Sequence, residues 1–293
     1  MDSKREDTGV IDQMVVNGLL AGLIYVIMAL GFTLIFGIMR IVNFAHGEFY
    51  MVGALVVMVL FGSLGWNFFL AVAAGGLVSA LLGVVVERAL FRPLVGEELP
   101  GMIMSLAIGI ILQSLALLYF GPAERTVARP FSGTWDLLNA VVAWDRTVVA
   151  LSALVILAIF YLFLKFSRLG LAMQAVAQDP ETASLMGIES GTIYAAAFGI
   201  ACLLAGLAGG LMAPIYTIGP YMGELPVLKA FVVVIIGGLG SVPGAVLGGL
   251  LIGLSESVLS TLLDSTAALI ASFTVVLFVV LIRPAGLMGR SVR

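Results

Sequence analysis

The chain has 293 residues, of which 61% are hydrophobic and only 11% charged, and its mean hydropathy is +1.18. That composition excludes an ordinary soluble core, and a net charge of −3 leaves no basic surface for nucleic acid and no cationic amphipathic helix. The apolar runs reach the roughly 20 residues that cross about 30 Å of hydrocarbon as a helix, without the alternation of barrel strands. The expected fold is therefore an all-α polytopic membrane protein, one transmembrane domain over residues 1–293.

Residues 1–13 form an acidic N-terminal tail without the basic start or small-residue cleavage site of a signal peptide, so the tail is expected to be retained. A first span covers about 14–36. It runs into the stretch 31–53, where Arg40, Asn43, the single histidine His46, and Glu48 interrupt apolar sequence. Each unpaired polar group in hydrocarbon costs several kcal/mol, so such a cluster persists only where it is paired or lines a cavity. A short apolar segment at about 49–64 follows, and either it or the first span is a candidate half-helix. A third span at about 66–86 begins at Trp66, an interfacial anchor by position, and ends in a polar loop with Glu87, Arg88 and Arg92. A fourth at about 101–120 carries Gln113 and Ser114. The long polar connection 121–146 holds Trp135 and Trp144, and a fifth span follows at about 147–164.

Residues 165–191 form a polar loop, placed on the cytoplasmic side. Within it Asp179-Pro180-Glu181 is a helix start, with Asp as N-cap, Pro at the first helical position and Glu complementing the dipole. Gly187 supplies the stop. The resulting helix of about two turns offers Ala183, Leu185 and Met186 as a small apolar surface, suited to docking on another protein; an ordinary loop helix on the membrane is the alternative.

A sixth span at about 192–212 leads to a connection at 213–224 rich in Pro, Gly and Tyr. The apolar stretch 226–236 is too short for a comfortable crossing and stops at Gly237-Gly238-Leu239-Gly240-Ser241, after which apolar sequence runs to about 262. A last span at about 267–282 ends in Arg283 and the basic tail with Arg290 and Arg293. The total is about 8–10 transmembrane or re-entrant helices. Each half holds an interrupted segment, 37–48 and 237–244, and paired interruptions point to a transport pathway built on internal repeats. Placing 165–191 inside puts Arg88, Arg92, Lys165, Arg168, Arg283, Arg290 and Arg293 inside, against Lys4, Arg5, Arg125, Arg129 and Arg146 outside, a small positive-inside bias. The N-terminus is then outside and the C-terminus inside. Gly206–Gly210 and Gly249–Gly253 carry the small-residue spacing of close helix packing, and Cys202 is expected to be an inert core residue.

His46 and Glu48 lack the further ligands a metal needs, so no metal is expected. A proton relay, a cap on a broken helix, and a site that lines or gates a pathway stay open for Asn43, His46 and Glu48. Glu256, inside an apolar stretch, could pair with Arg40 or Lys229, and water near a helix end is the preferred expectation. No phosphate loop and no nucleophile triad is present. The chain is not expected to be an enzyme or to carry a cofactor. Active transport would draw on an ion gradient or on ATP bound by a separate subunit.

The runs Ile41-Val-Asn-Phe-Ala-His-Gly-Glu-Phe-Tyr-Met-Val-Gly53, Ala175-Val-Ala-Gln-Asp-Pro-Glu-Thr-Ala-Ser-Leu-Met-Gly-Ile188 and Ile236-Gly-Gly-Leu-Gly-Ser-Val-Pro-Gly244 resemble the permeases of branched-chain amino acid ABC importers, of the high-affinity leucine/isoleucine/valine type. With Gly22–Gly37, Glu87-Arg88, Arg92-Pro93 and Lys229-Ala-Phe, the resemblance covers nearly the whole chain. It implies a bundle with broken helices in the bacterial inner membrane, a second homologous permease, two cytoplasmic ATPase subunits and a periplasmic substrate-binding protein. It also implies that Asp179, Pro180, Glu181, Ala183, Leu185, Met186 and Gly187 form the element coupling to the ATPase. Asn43, His46, Glu48, Gly237, Gly238, Gly240 and Ser241 are the candidates for the translocation pathway or gate. Related permeases carry urea, amides or aromatic acids on nearly the same motifs. A gradient-coupled carrier using His46 and Glu48, and a scaffold beside a partner that holds the pathway, are the rival readings.

Overall fold

The computed structural model describes residues 2–137, 140–283 and 286–289, and for 2–9, 265 and 280 the backbone alone. Its helices are α1 (Asp2–Met39), α2 (His46–Val57), α3 (Phe68–Val86), α4 (Glu98–Phe120), α5 (Trp144–Phe166), α6 (Arg168–Gln178), α7 (Pro180–Leu185), α8 (Ser190–Met212), α9 (Glu224–Gly237), α10 (Val242–Leu262) and α11 (Ser265–Ile282). Between α4 and α5 lies one antiparallel hairpin of β1 (Thr134–Leu137) and β2 (Ala140–Ala143), with Thr134 opposite Ala143. Among the described residues, seven segments are long and apolar enough to cross a membrane: α1 from Val10, α2 extended to Ser63, α3 extended to Leu94, α4, α5, α8 and α10. Both extensions run through a π-helical turn, at Met58–Ser63 and Glu87–Phe91. The 14-residue α9 spans only about 21 Å at 1.5 Å per residue.

Helix ends follow local chemistry. Asn67, Ser167, Asp179, Ser241 and Asp264 each accept backbone N–H bonds in the first turn that follows them, which satisfies donors that an apolar surround would otherwise leave unpaired. Three expectations change. The acidic stretch before Gln13 is helical and continuous with α1, because nothing in it breaks the backbone ladder. The fourth span, expected from about 101, starts earlier, with Glu98-Leu99-Pro100 as the first turn of α4, where Pro lacks only a donor that would be orphaned anyway. The 121–146 connection contains the hairpin, closed by stacking of Trp135 on Trp144 at 5.6 Å and by Trp135 Nε1 donating to Thr147 Oγ1 at 2.8 Å. The basic tail residues Arg290 and Arg293 lie outside the described residues.

α1 and α8 make the centre. α1 packs on α8 and α10, and α8 on α3 and α2. Side chains are small where these backbones approach: Gly18 and Gly22 of α1 face Gly249 and Gly253 of α10, while Gly206 of α8 faces Gly53 of α2 and Ser79 of α3. In hydrocarbon no hydrophobic force drives helices together, so such close van der Waals contact must do so. Cys202 is buried against Gly83.

The second half repeats the first upside down. The pairs α1 with α10 and α8 with α3 correspond under exchange of α1–α4 for α8–α11, as do α2 with α8 and α9 with α1, or α2 with α3 and α9 with α10. That exchange is the mark of an inverted repeat about an axis in the membrane plane.

Candidate translocation and coupling sites

After Met39 the chain turns at Arg40, the single non-glycine residue of positive φ (53°) among the described residues. It then climbs back beside α4: Ile41 packs on Gly101, the Phe44 N–H donates to Ser105 Oγ at 3.0 Å, and Glu48 lies over Gly109, the midpoint of α4. Asn43 Oδ1 accepts the Ala45 N–H at 3.0 Å and so shapes the turn into α2. His46 is fully buried, with Nε2 3.2 Å from the Met28 carbonyl and its ring edge-on to Phe32 at 6.0 Å. The absence of a side chain at Gly31 makes room for that ring. His46 therefore ties α2 to α1.

The other half does the mirror operation. α8 ends at Met212, and residues 213–223 fold back into the bundle until the Gly223 backbone abuts Gly47. A Cβ on either glycine would collide with the other's carbonyl, so the two half-helices α2 and α9 can begin side by side only without side chains there. From that point α2 runs toward the hairpin face and α9 toward the face of α6 and α7. Their first turns carry Glu48 and Glu224. Gln113 of α4 donates through Nε2 to Glu48 Oε1 at 2.9 Å and reaches Glu224 Oε1 at 3.4 Å. Glu48 is buried, and its Oε2 has no hydrogen-bond partner. Glu224 is exposed on the molecular surface.

The interruption at 237–244 is a different object from the one at 37–48. Gly238 (φ 106°) and Gly240 (φ 79°) make a tight turn between α9 and α10 at the face where α1 ends, and Ser241 Oγ accepts the Gly244 N–H at 3.2 Å. Gly237 closes against Gly244 and Gly240 lies beside Gly37. The counterpart of 40–46 is thus 213–223, and the pairing expected from glycine content is corrected: a glycine-rich turn at a helix end has the composition of an unwound segment at mid-depth. Gly240 and Ser241 join Arg40, Lys165 and Arg283 around a cavity of about 1810 Å³ that opens on this face. Glu256 also departs from expectation. It is paired inside the bundle with Lys229 at 2.5 Å and accepts from the Tyr25 hydroxyl at 2.8 Å, while Lys229 donates to that hydroxyl at 2.8 Å.

α7 has the expected start: Asp179 Oδ1 accepts the Glu181 and Thr182 N–H groups at 3.0 and 3.1 Å, and the Thr182 hydroxyl donates to Oδ2 at 2.6 Å. Gly187 follows with φ 83°. Leu185 is 87% and Met186 80% exposed, whereas Ala183 is buried, so Ala183 anchors the helix instead of contributing to its outer surface. Arg92 ties this region down, donating to the Gly191 carbonyl at 2.8 Å with its Nε 3.5 Å from the buried Glu87 carboxylate. Gln113, Glu224 and Tyr25 are the residues that sequence reasoning did not assemble; the polar Gln113 in an apolar span was the available signal.

Apolar helices long enough to cross a membrane, an inverted repeat, and the starts of α2 and α9 meeting at mid-depth define a multi-pass membrane permease. The chain matches, over residues 14–283, the family described as branched-chain amino acid transport system / permease component, and it belongs to that family. It is 33% identical to the high-affinity branched-chain amino acid transport system permease protein LivH of Escherichia coli K12 over 95% of both chains, and 33% identical to BraD of Pseudomonas aeruginosa over the same shares. LivM of Salmonella typhimurium is 26% identical, over 91% of this chain and 68% of its own length. No solved structure matches the chain.

Proposed function

We propose that this chain is the transmembrane half of an ATP-driven importer for branched-chain amino acids, working in the bacterial inner membrane beside a second, homologous permease. Two cytoplasmic ATPase subunits supply the energy and a periplasmic binding protein delivers the solute. The names of the relatives support the substrate, and the similarity to both LivH and LivM supports a paired partner. The observation that carries the ATP-driven reading is α7. A short helix with a capped start, a buried anchor at Ala183 and a bare apolar tip at Leu185 and Met186 has too little area to fold alone and presents a knob for a protein groove.

A carrier coupled to an ion gradient has less support, since His46 is enclosed and spends Nε2 on the Met28 carbonyl. Reconstitution in proteoliposomes with the partner permease, ATPases and binding protein separates the two readings: leucine uptake is expected to stop when ATP hydrolysis is blocked. Uptake that continues would overturn the importer. Leu185→Asp with Met186→Asp should abolish ATP-dependent uptake and substrate-stimulated ATP hydrolysis together, because charge on the knob is desolvated on docking. Full stimulation in that variant would refute the role of α7.

A further inference from the structure

Glu48 and Glu224 come from opposite halves of the chain, yet one amide, that of Gln113, reaches both carboxylates, at 2.9 and 3.4 Å. Glu48 is only 4% exposed and its Oε2 has no partner. A buried carboxylate oxygen left unpaired costs more than an ordinary hydrogen bond returns, so the site is incomplete as it stands. For the ionised carboxylate the missing group is a donor. No backbone N–H at the start of α2 or α9 reaches Oε2, although both carboxylates lie in those first turns. Lys229 does not answer either, being held by Glu256 at 2.5 Å.

We propose that Glu48, Gln113 and Glu224 form a mid-depth subsite for the primary ammonium group of the transported solute. The proposal rests on the permease reading above and names which end of an amino acid the site takes. An ammonium has three N–H donors in a compact head, and the Glu48 and Glu224 carboxylates, held together by the Gln113 amide N–H groups, offer it acceptors of opposite charge. A solute carboxylate finds no cation here. A bare metal ion is also a poor occupant: the described residues hold no group of three or more His, Cys, Asp or Glu that could ligate one, and hard cations want about six or more oxygens. Glu224 is exposed, beside Leu225 at 56%, so it is the side of the subsite a solute meets first, and Glu48, closed from solvent, lies behind it.

The test uses the complete importer in proteoliposomes with radiolabelled L-leucine. Glu48→Gln and Glu224→Gln preserve shape, and copurification with the partner permease checks their assembly. Each is expected to lower uptake about tenfold or more, the loss of one charge-assisted hydrogen bond, and replacing sodium by choline is expected to leave wild-type uptake unchanged. Wild-type uptake in the double variant, or a requirement for sodium, would overturn the subsite. A second readout does not depend on transport. Leu225→Cys should react about fivefold or more faster with a cationic methanethiosulfonate than with an anionic one, through the local negative potential, and the double variant should lose that preference. Equal rates without the double change would overturn the proposal even if the importer carries no leucine, whereas a clear cationic preference with no leucine uptake would leave the subsite standing and refute the substrate.

Discussion

Lys229 of α9, Glu256 of α10 and Tyr25 of α1 join three helices by one ion pair and two hydrogen bonds, with the charged side chains 20% and 21% exposed. In a low-dielectric surround such a pair contributes little compared with apolar side chains of the same volume, but removal of one member leaves an uncompensated charge. Lys229→Met is therefore expected to destabilise the protein by about 3 kcal/mol, and adding Glu256→Gln should recover more than half of that loss. Thermal unfolding of the purified single and double variants checks this; a double variant as unstable as the single would mean that packing, not charge, is at stake. Sequence offered Lys229 as one possible partner of Glu256 but could not choose it over water or Arg40, because the two lie on different helices and Tyr25 is more than two hundred positions from either. An intramembrane charge announces that a partner exists, but pairing is a property of tertiary structure. His46 shows the converse. Its type and setting marked it in sequence, while the fact that it spends its ring nitrogen on a backbone carbonyl of α1 depends on the room left by Gly31.

At the scale of the element, α7 was legible since its signals are local: Asp as N-cap, Pro next, Gly at the stop. α6 was equally local in its cap, Ser167 accepting the Gly170 N–H at 2.9 Å, and its buried Gly170, Met173 and Val176 recur every third residue. It was hidden by its setting, a stretch too polar to read as a span. The hairpin could not be read because strands of four residues carry too little alternation to stand out. The cap makes a prediction about pH. The Thr182 hydroxyl and then the Thr182 and Glu181 N–H groups hold the Asp179 carboxyl below its ordinary range. A depressed acid stabilises the fold above its unfolded value and loses that effect only as pH falls through the lower, folded value. The start of α7 should therefore persist below the pH at which a free aspartate protonates, and Asp179→Ala should fray it at every pH. Amide exchange at Glu181 and Thr182 reads both; exchange at those positions that is insensitive to the substitution would show that docking to α6 and α8, not the cap, orders the helix.

Across the whole molecule, an internal repeat was anticipated but attached to the wrong segments, because depth in the membrane is set by packing and not by glycine content. Gly47 meeting Gly223 brings the two re-entrant segments together, and that contact decides how the surface is divided. α4 and α9 turn Gln113 and Glu224 outward at mid-depth, whereas the exposed side of α5 is apolar through Leu151, Leu154, Val155, Ile159 and Leu162. A carboxylate on lipid costs several kcal/mol, while an aliphatic stripe on lipid costs nothing. The α4–α9 side must therefore be covered by protein or face a water-filled path, and in a paired importer both conditions hold where the two permeases face one another. Ile110, 64% exposed and one turn before Gln113 on the same stripe of α4, should lie at that junction. With the pair expressed together in membranes, Ile110→Cys and Leu225→Cys are expected to crosslink to the partner permease through a short thiol-to-amine reagent, and Leu154→Cys on α5 is not. Crosslinking from Leu154 alone would place the partner on the apolar side and leave the charges of Glu48 and Glu224 to be sheltered by a path wholly within one chain.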